Sequence, residues 1–110
     1  MQFHPHDLSL FVSCDDHTIK RWKLNISEVA NVYDSHVSTV TAIVFLNSTT
    51  FVSAGRDSVI LFWNIENAEP IKTVAVYEPL EDLSMLNNYI YTVGARGMHI
   101  ARKINLNNFL

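Results

Sequence analysis

Two stretches of this chain repeat one another. Leu10–Leu24 reads LFVSCDDHTIKRWKL and Phe51–Ile65 reads FVSAGRDSVILFWNI. With Trp22 laid on Trp63, Asp16 falls on Asp57 and Leu10 on Phe51, at a spacing of 41 residues. A period near ~40–45 residues marks a copied supersecondary unit, which cannot bury its apolar faces alone and must stack on its neighbours. A third, worn copy follows. Tyr91–Arg102 (YTVGARGMHIAR) aligns with Val52–Trp63 at a spacing of 39 residues. Gly94 falls on Gly55, but Arg96 takes the Asp place and Arg102 the Trp place.

Each unit reads as short strands broken by polar turns. Expected strands are Leu8–Cys14, Thr18–Leu24, Glu28–Tyr33, Val40–Leu46, Phe51–Ala54, Val59–Ile65 and Ile71–Tyr77. Val40–Leu46 (VTAIVFL) is apolar enough for a central strand covered on both faces. Pro79–Leu86 is ambiguous, because Leu80, Leu83 and Leu86 also fit a helical spacing. The repeat frame favours a strand over Asp82–Leu86. The expectation is an all-β chain of antiparallel, four-stranded units.

Composition excludes several function classes. The chain is 48% hydrophobic and 17% charged, as globular chains are, and its net charge of −3 gives no overall pull toward nucleic acid. Cys14 is the single cysteine, so no internal disulfide can form, which favours a reducing compartment. No apolar run approaches the ~18 residues of a membrane span, and no secretion signal opens the chain. The triplets at Asn25–Ser27 and Asn47–Thr49 are therefore read as chance glycosylation matches.

The residues Ser35-His36, Ser53, Asp57 and Trp63-Asn64, with Asp16 and Trp22-Lys23 one period earlier, resemble the WD-repeat (WD40) family. The dipeptide that names the family has drifted to Trp-Lys and Trp-Asn. The resemblance implies a β-propeller fragment, with partial blades at 1–34 and 78–110 flanking a complete blade at 35–77. Since propellers close with about 4–8 blades, it also implies a piece of a larger propeller, poorly soluble alone. It further implies a structural tetrad. Asp57 would accept from one ring nitrogen of His36. The other nitrogen would accept from the Ser53 hydroxyl, which accepts from the Trp63 indole. Each residue type suits its place, since the indole only donates, the carboxylate only accepts, and hydroxyl and imidazole do both. The first unit would keep half of this in Asp16 and Trp22, with Val12 where Ser53 stands. The third would rely on apolar packing by Tyr91, Val93, Met98 and Ile100.

The run Ser35–Leu83, and within it Lys72–Glu78 (KTVAVYE), resembles a WD-repeat subunit of the small-subunit processome, the U3 small nucleolar RNA assembly. That implies a non-enzymatic scaffold for protein–protein assembly in the nucleus and nucleolus. Its partners would be proteins of a ribonucleoprotein (the U3 snoRNP) that processes pre-ribosomal RNA. Two alternatives stay open. One is a WD scaffold of another complex, such as a ubiquitin-ligase receptor. The other is a hydrolase using Ser53, His36 and Asp57, disfavoured because Ser53 falls inside a strand and its hydroxyl is occupied by the indole.

Other candidates are plainer. His4 and His6 flank Pro5, but Phe3-His4-Pro5 fits a link between first and second strands better than a metal pair. Lys20, Arg21 and Lys23 read as a solvated strand face, as do Arg96, Arg102 and Lys103. Arg56 and Asp15 precede the turn aspartates and are candidate rim residues for protein interaction. No phosphate loop, metal motif or reactive cysteine cluster is evident, so no cofactor is expected.

Overall fold

The structure is a computed structural model and describes residues 2–5, 8–26, 28–76, 79–94 and 100–105, with 100–104 as backbone. Every regular element among them is a strand. The first sheet holds β1 (Gln2–Phe3), β2 (Ser9–Ser13), β3 (Ile19–Lys23) and β4 (Glu28–Tyr33) in that order. The second holds β5 (Val40–Phe45), β6 (Thr50–Gly55), β7 (Val59–Asn64) and β8 (Lys72–Ala75). The third pairs β9 (Leu80–Leu86), β10 (Tyr89–Gly94) and β11 (Ile100–Asn105). All pairings are antiparallel meanders.

The sequence period reappears as register. Leu10 faces Trp22 across β2–β3 as Phe51 faces Trp63 across β6–β7. The turns repeat too: His17 and Ser58, one period apart, have positive φ angles of 69° and 66°. Each follows its turn aspartate at the left-handed place of a tight turn.

Stacking gives two cores, one on each face of the second sheet. Phe51, Leu61 and Trp63 point toward the first sheet and meet Phe11, Ile19 and Tyr33. Val52, Ala54, Ile60 and Phe62 point the other way and meet Leu80, Leu83 and Ile90 of the third sheet. Strand alternation produces this division, because neighbouring residues face opposite sides. Polar contacts pin the stack. His4 lies 2.6 Å from the Ser48 carbonyl, and Thr41 donates to the Leu80 carbonyl at 2.8 Å.

Three expectations need correction. Val40–Phe45 is not a central strand: it forms one edge of the second sheet, and several of its side chains are only half-buried. Covering on both faces falls to β6 and β7. In the third sheet, Tyr91 and Val93 are half-buried, and the fully buried packing comes from Leu80, Ile90 and Thr92 instead. Met98 and Arg96 lie outside the described residues. Finally, the basic cluster does not share one face. Arg21 is 5% exposed and points into the first core, while Lys20 points the other way and pairs with Asp16 at 3.4 Å.

Candidate functional site

The second sheet brings four separated side chains together. His36 comes from the segment before β5, Ser53 from mid-β6, Asp57 from the β6–β7 turn and Trp63 from β7. His36 Nδ1 lies 2.9 Å from Asp57 Oδ2 and 3.1 Å from Oδ1. His36 Nε2 lies 2.7 Å from Ser53 Oγ, and the Trp63 indole donates to that same oxygen at 2.8 Å. A carboxylate can only accept, so Nδ1 carries the ring proton. Nε2 then accepts from the Ser53 hydroxyl. Asp57 also accepts from the Val37 backbone N–H at 3.0 Å. One chain of bonds therefore ties a turn, two strands and the segment leading into the sheet.

Its backbone setting is tight. A Cβ on Gly55 would stand 2.7 Å from Asp57 Oδ1, 2.9 Å from the Thr39 carbonyl and 3.0 Å from His36 Nδ1. The imidazole and carboxylate fill the space a side chain would need. Ser53 and Trp63 are both 0% exposed. The arrangement Asp–His–Ser has the spacings of a nucleophilic triad, but the hydroxyl faces an indole donor inside a sheet core.

Among its described residues the first sheet shows no such chain. Asp16 instead accepts from the Thr18 hydroxyl at 2.6 Å and the Thr18 N–H at 3.2 Å, and these bonds, with Lys20 beside it, hold its carboxyl below the usual range. It closes its own turn. Trp22 holds Trp63's register place but lies on the opposite side of the stack from the cores and is 37% exposed. Arg56 makes a two-point ion pair with Glu81 of β9, at 3.0 and 3.2 Å, across the second and third sheets. Asp15 is exposed. His4 is buried against Phe45 and Phe11, and His6 lies outside the described residues. Among the described residues no cluster of metal-ligating side chains exists.

Sequence reasoning missed a second polar assembly. Arg21 Nε donates to Ser9 Oγ at 3.1 Å, and Nη1 donates to Asn31 Oδ1 at 3.2 Å and lies 3.5 Å from Glu66. Its guanidinium sits over the Phe11 ring. Beside it, the Tyr33 hydroxyl donates to the Ile65 carbonyl of the second sheet. Burial holds the Tyr33 phenol well above its usual value, against a smaller downward pull from Arg21. The available signal was strand alternation, which places Arg21 on the face of Ile19.

Residues 27–64 match the family model described as "WD domain, G-beta repeat". The chain therefore carries a WD repeat at these residues. It is 33% identical over 87 residues to transducin beta-like protein 3 of Bos taurus, covering 76% of this chain and 11% of that protein. It is 31% identical over 81 residues to Topless-related protein 3 of Arabidopsis thaliana, covering 72% and 7%. The chain thus spans about a tenth of the length of these relatives. The Cps50 (Swd1) β-propeller domain of Myceliophteria thermophila superposes with a TM-score of 0.83, covering 96% of this chain and 34% of that one, at 14% identity. That likeness concerns the fold, a WD40 β-propeller built of antiparallel sheets.

Proposed function

We propose that this chain is part of a non-enzymatic WD-repeat scaffold for protein–protein assembly, with blades at 1–34, 35–77 and 78–110. The observation carrying this reading is the buried bond from Trp63 to Ser53. It commits the hydroxyl of the Asp–His–Ser arrangement to holding strands together. His36, Ser53, Asp57 and Trp63 then act as a structural tetrad, and Asp16 as a turn closure. Within the family, identity to transducin beta-like protein 3 supports the small-subunit processome as the assembly, with the U3 ribonucleoprotein as partner and the nucleolus as location. Similarity to a Topless-related protein keeps a WD scaffold of another complex as the second reading.

Two experiments separate these readings. Ser53→Ala lowers the melting temperature if the tetrad is structural, and leaves no ester- or peptide-cleaving activity to lose. A variant with unchanged stability and abolished turnover would overturn the scaffold reading. Co-purification of U3 RNA with the tagged protein from nuclear extract supports the processome. Its absence, with another set of proteins recovered, supports the second scaffold.

A further inference from the structure

Three side chains set the two buried seams of this molecule apart. His4, Arg21 and Tyr33 are buried on the side of the first sheet that meets the second, and each reaches a polar atom beyond the seam. His4 Nε2 donates to the Ser48 carbonyl at 2.6 Å, the Tyr33 hydroxyl donates to the Ile65 carbonyl, and Arg21 Nη1 lies 3.5 Å from Glu66 Oε1. Backbone register finds the same three places in the second sheet. Leu46 donates its N–H to the Thr50 carbonyl as His4 does to that of Ser9. Phe62 faces Val52 as Arg21 faces Phe11, and Val74 faces Ile60 as Tyr33 faces Ile19. Leu46, Phe62 and Val74 pack into the core shared with the third sheet. The places that carry buried donors at one seam are thus all apolar at the other.

We propose that His4, Arg21 and Tyr33 form a key that fixes which sheet the first one docks on. Repeated units of similar shape can stack out of order, and misassembly or exchange between chains is the characteristic failure of repeat proteins. The shared apolar pattern does not prevent this, because Phe11 and Val52 stand at equal places in the first and second sheets. The three donors do. Seated on the third sheet, the first would turn them toward Leu80, Leu83 and Ile90. A buried donor left without an acceptor loses more than a made bond returns. On the second sheet each donor meets an acceptor, at the Ser48 turn or at the Ile65–Glu66 corner that follows β7. Ser9 and Asn31 hold the Arg21 fork in position from its own sheet, at 3.1 and 3.2 Å. A fully satisfied buried polar network of this kind specifies one arrangement where an apolar seam accepts several. This inference goes beyond the scaffold reading and holds for whichever assembly the protein serves.

Refolding of the intact protein from urea, followed by light scattering on the size-separated products, tests it. Tyr33→Phe deletes one donor and little else. It should raise the share of chain-exchanged oligomers over the native form by roughly fivefold, the weight of one net hydrogen bond. The triple variant His4→Leu, Arg21→Phe, Tyr33→Val copies the second sheet's residues into the first. It should still stack but partition into several assemblies, because repacked apolar cores lose uniqueness before they lose stability. Gly55→Ala is the control, since it disturbs the second sheet without changing a side chain of this seam. Exchanged product that rises equally with Gly55→Ala and Tyr33→Phe overturns the proposal. So does a triple variant that returns to the single native form. If the triple variant does not fold, the comparison of Tyr33→Phe with Gly55→Ala decides alone.

Discussion

Gly55 sits where its neighbours leave no room for a Cβ, with Asp57, His36 and the Thr39 carbonyl all within 3.0 Å of the position one would take. Gly55→Ala must push the carboxylate or imidazole out of line, and the rigid Thr39 carbonyl gives no relief. The expected cost is about 1–3 kcal/mol, the usual range for overpacking a filled site, read as a fall in the urea midpoint at unchanged slope. One period earlier the place is Cys14, whose thiol is half-buried and lies 3.7 Å from the Val12 carbonyl. There Asp16 bonds Thr18 instead, and a residue larger than glycine fits. Tyr33 gives a second prediction at this scale. Burial raises its pKa in the folded chain, while the unfolded phenol ionises near 10. Folding stability from this group is therefore intact below that pH. It falls as pH rises above 10, because the unfolded state then binds fewer protons. Tyr33→Phe should lower stability at neutral pH through the lost bond to Ile65, yet flatten the alkaline decline seen in melts between pH 9 and 11, an interval of about the ordinary phenol range.

At the scale of the element, β3 shows how far the sequence could be read. Its limits and its pairing with β2 follow from the repeat, and the place of Trp22 follows from Trp63. Which of its faces is buried does not. Trp22 resembles a core residue and is the more exposed one, whereas Arg21 resembles a surface residue and is nearly covered. Local pattern cannot supply that answer, because burial depends on which neighbouring sheet covers the strand. The same holds for Val40–Phe45, where an apolar run reflects an inner strand between neighbouring sheets rather than a central one. At Leu80–Leu86 the repeat frame carried more information than the leucine spacing, since the three leucines fit a helix and a strand alike. The Arg21 assembly supports an unequal pair of variants. Arg21→Ala removes a packed stem and leaves Ser9 and Asn31 without their donor, at a cost of about 1–3 kcal/mol. Glu66 is largely solvated, so Glu66→Gln costs under about 0.5 kcal/mol, as exposed ion pairs do. Chemical denaturation of both variants in 0.1 M salt, where screening acts over about 10 Å, makes the comparison. Equal losses would place the energy in the ion pair instead.

Across the whole molecule, stability should be graded by how many faces of a sheet are covered. The second sheet alone has a core on each side, and all six residues of β6 are buried. Its strands also hold the His36–Ser53–Trp63 chain, so opening β6 breaks apolar contacts on two faces and a buried polar network at once. The first sheet keeps Phe11, Ile19 and Tyr33 covered on one face only, while Val29 and Val32 of β4 meet solvent on the other. Local opening free energies follow covered area and backbone pairing, so amide exchange should be slowest in β6 and β7. It should be faster by a factor of about ten or more in β4 and β8, the outer strands. Exchange followed by mass spectrometry checks the order. Protection in β4 equal to that in β6 would show that covering of both faces does not set the gradient.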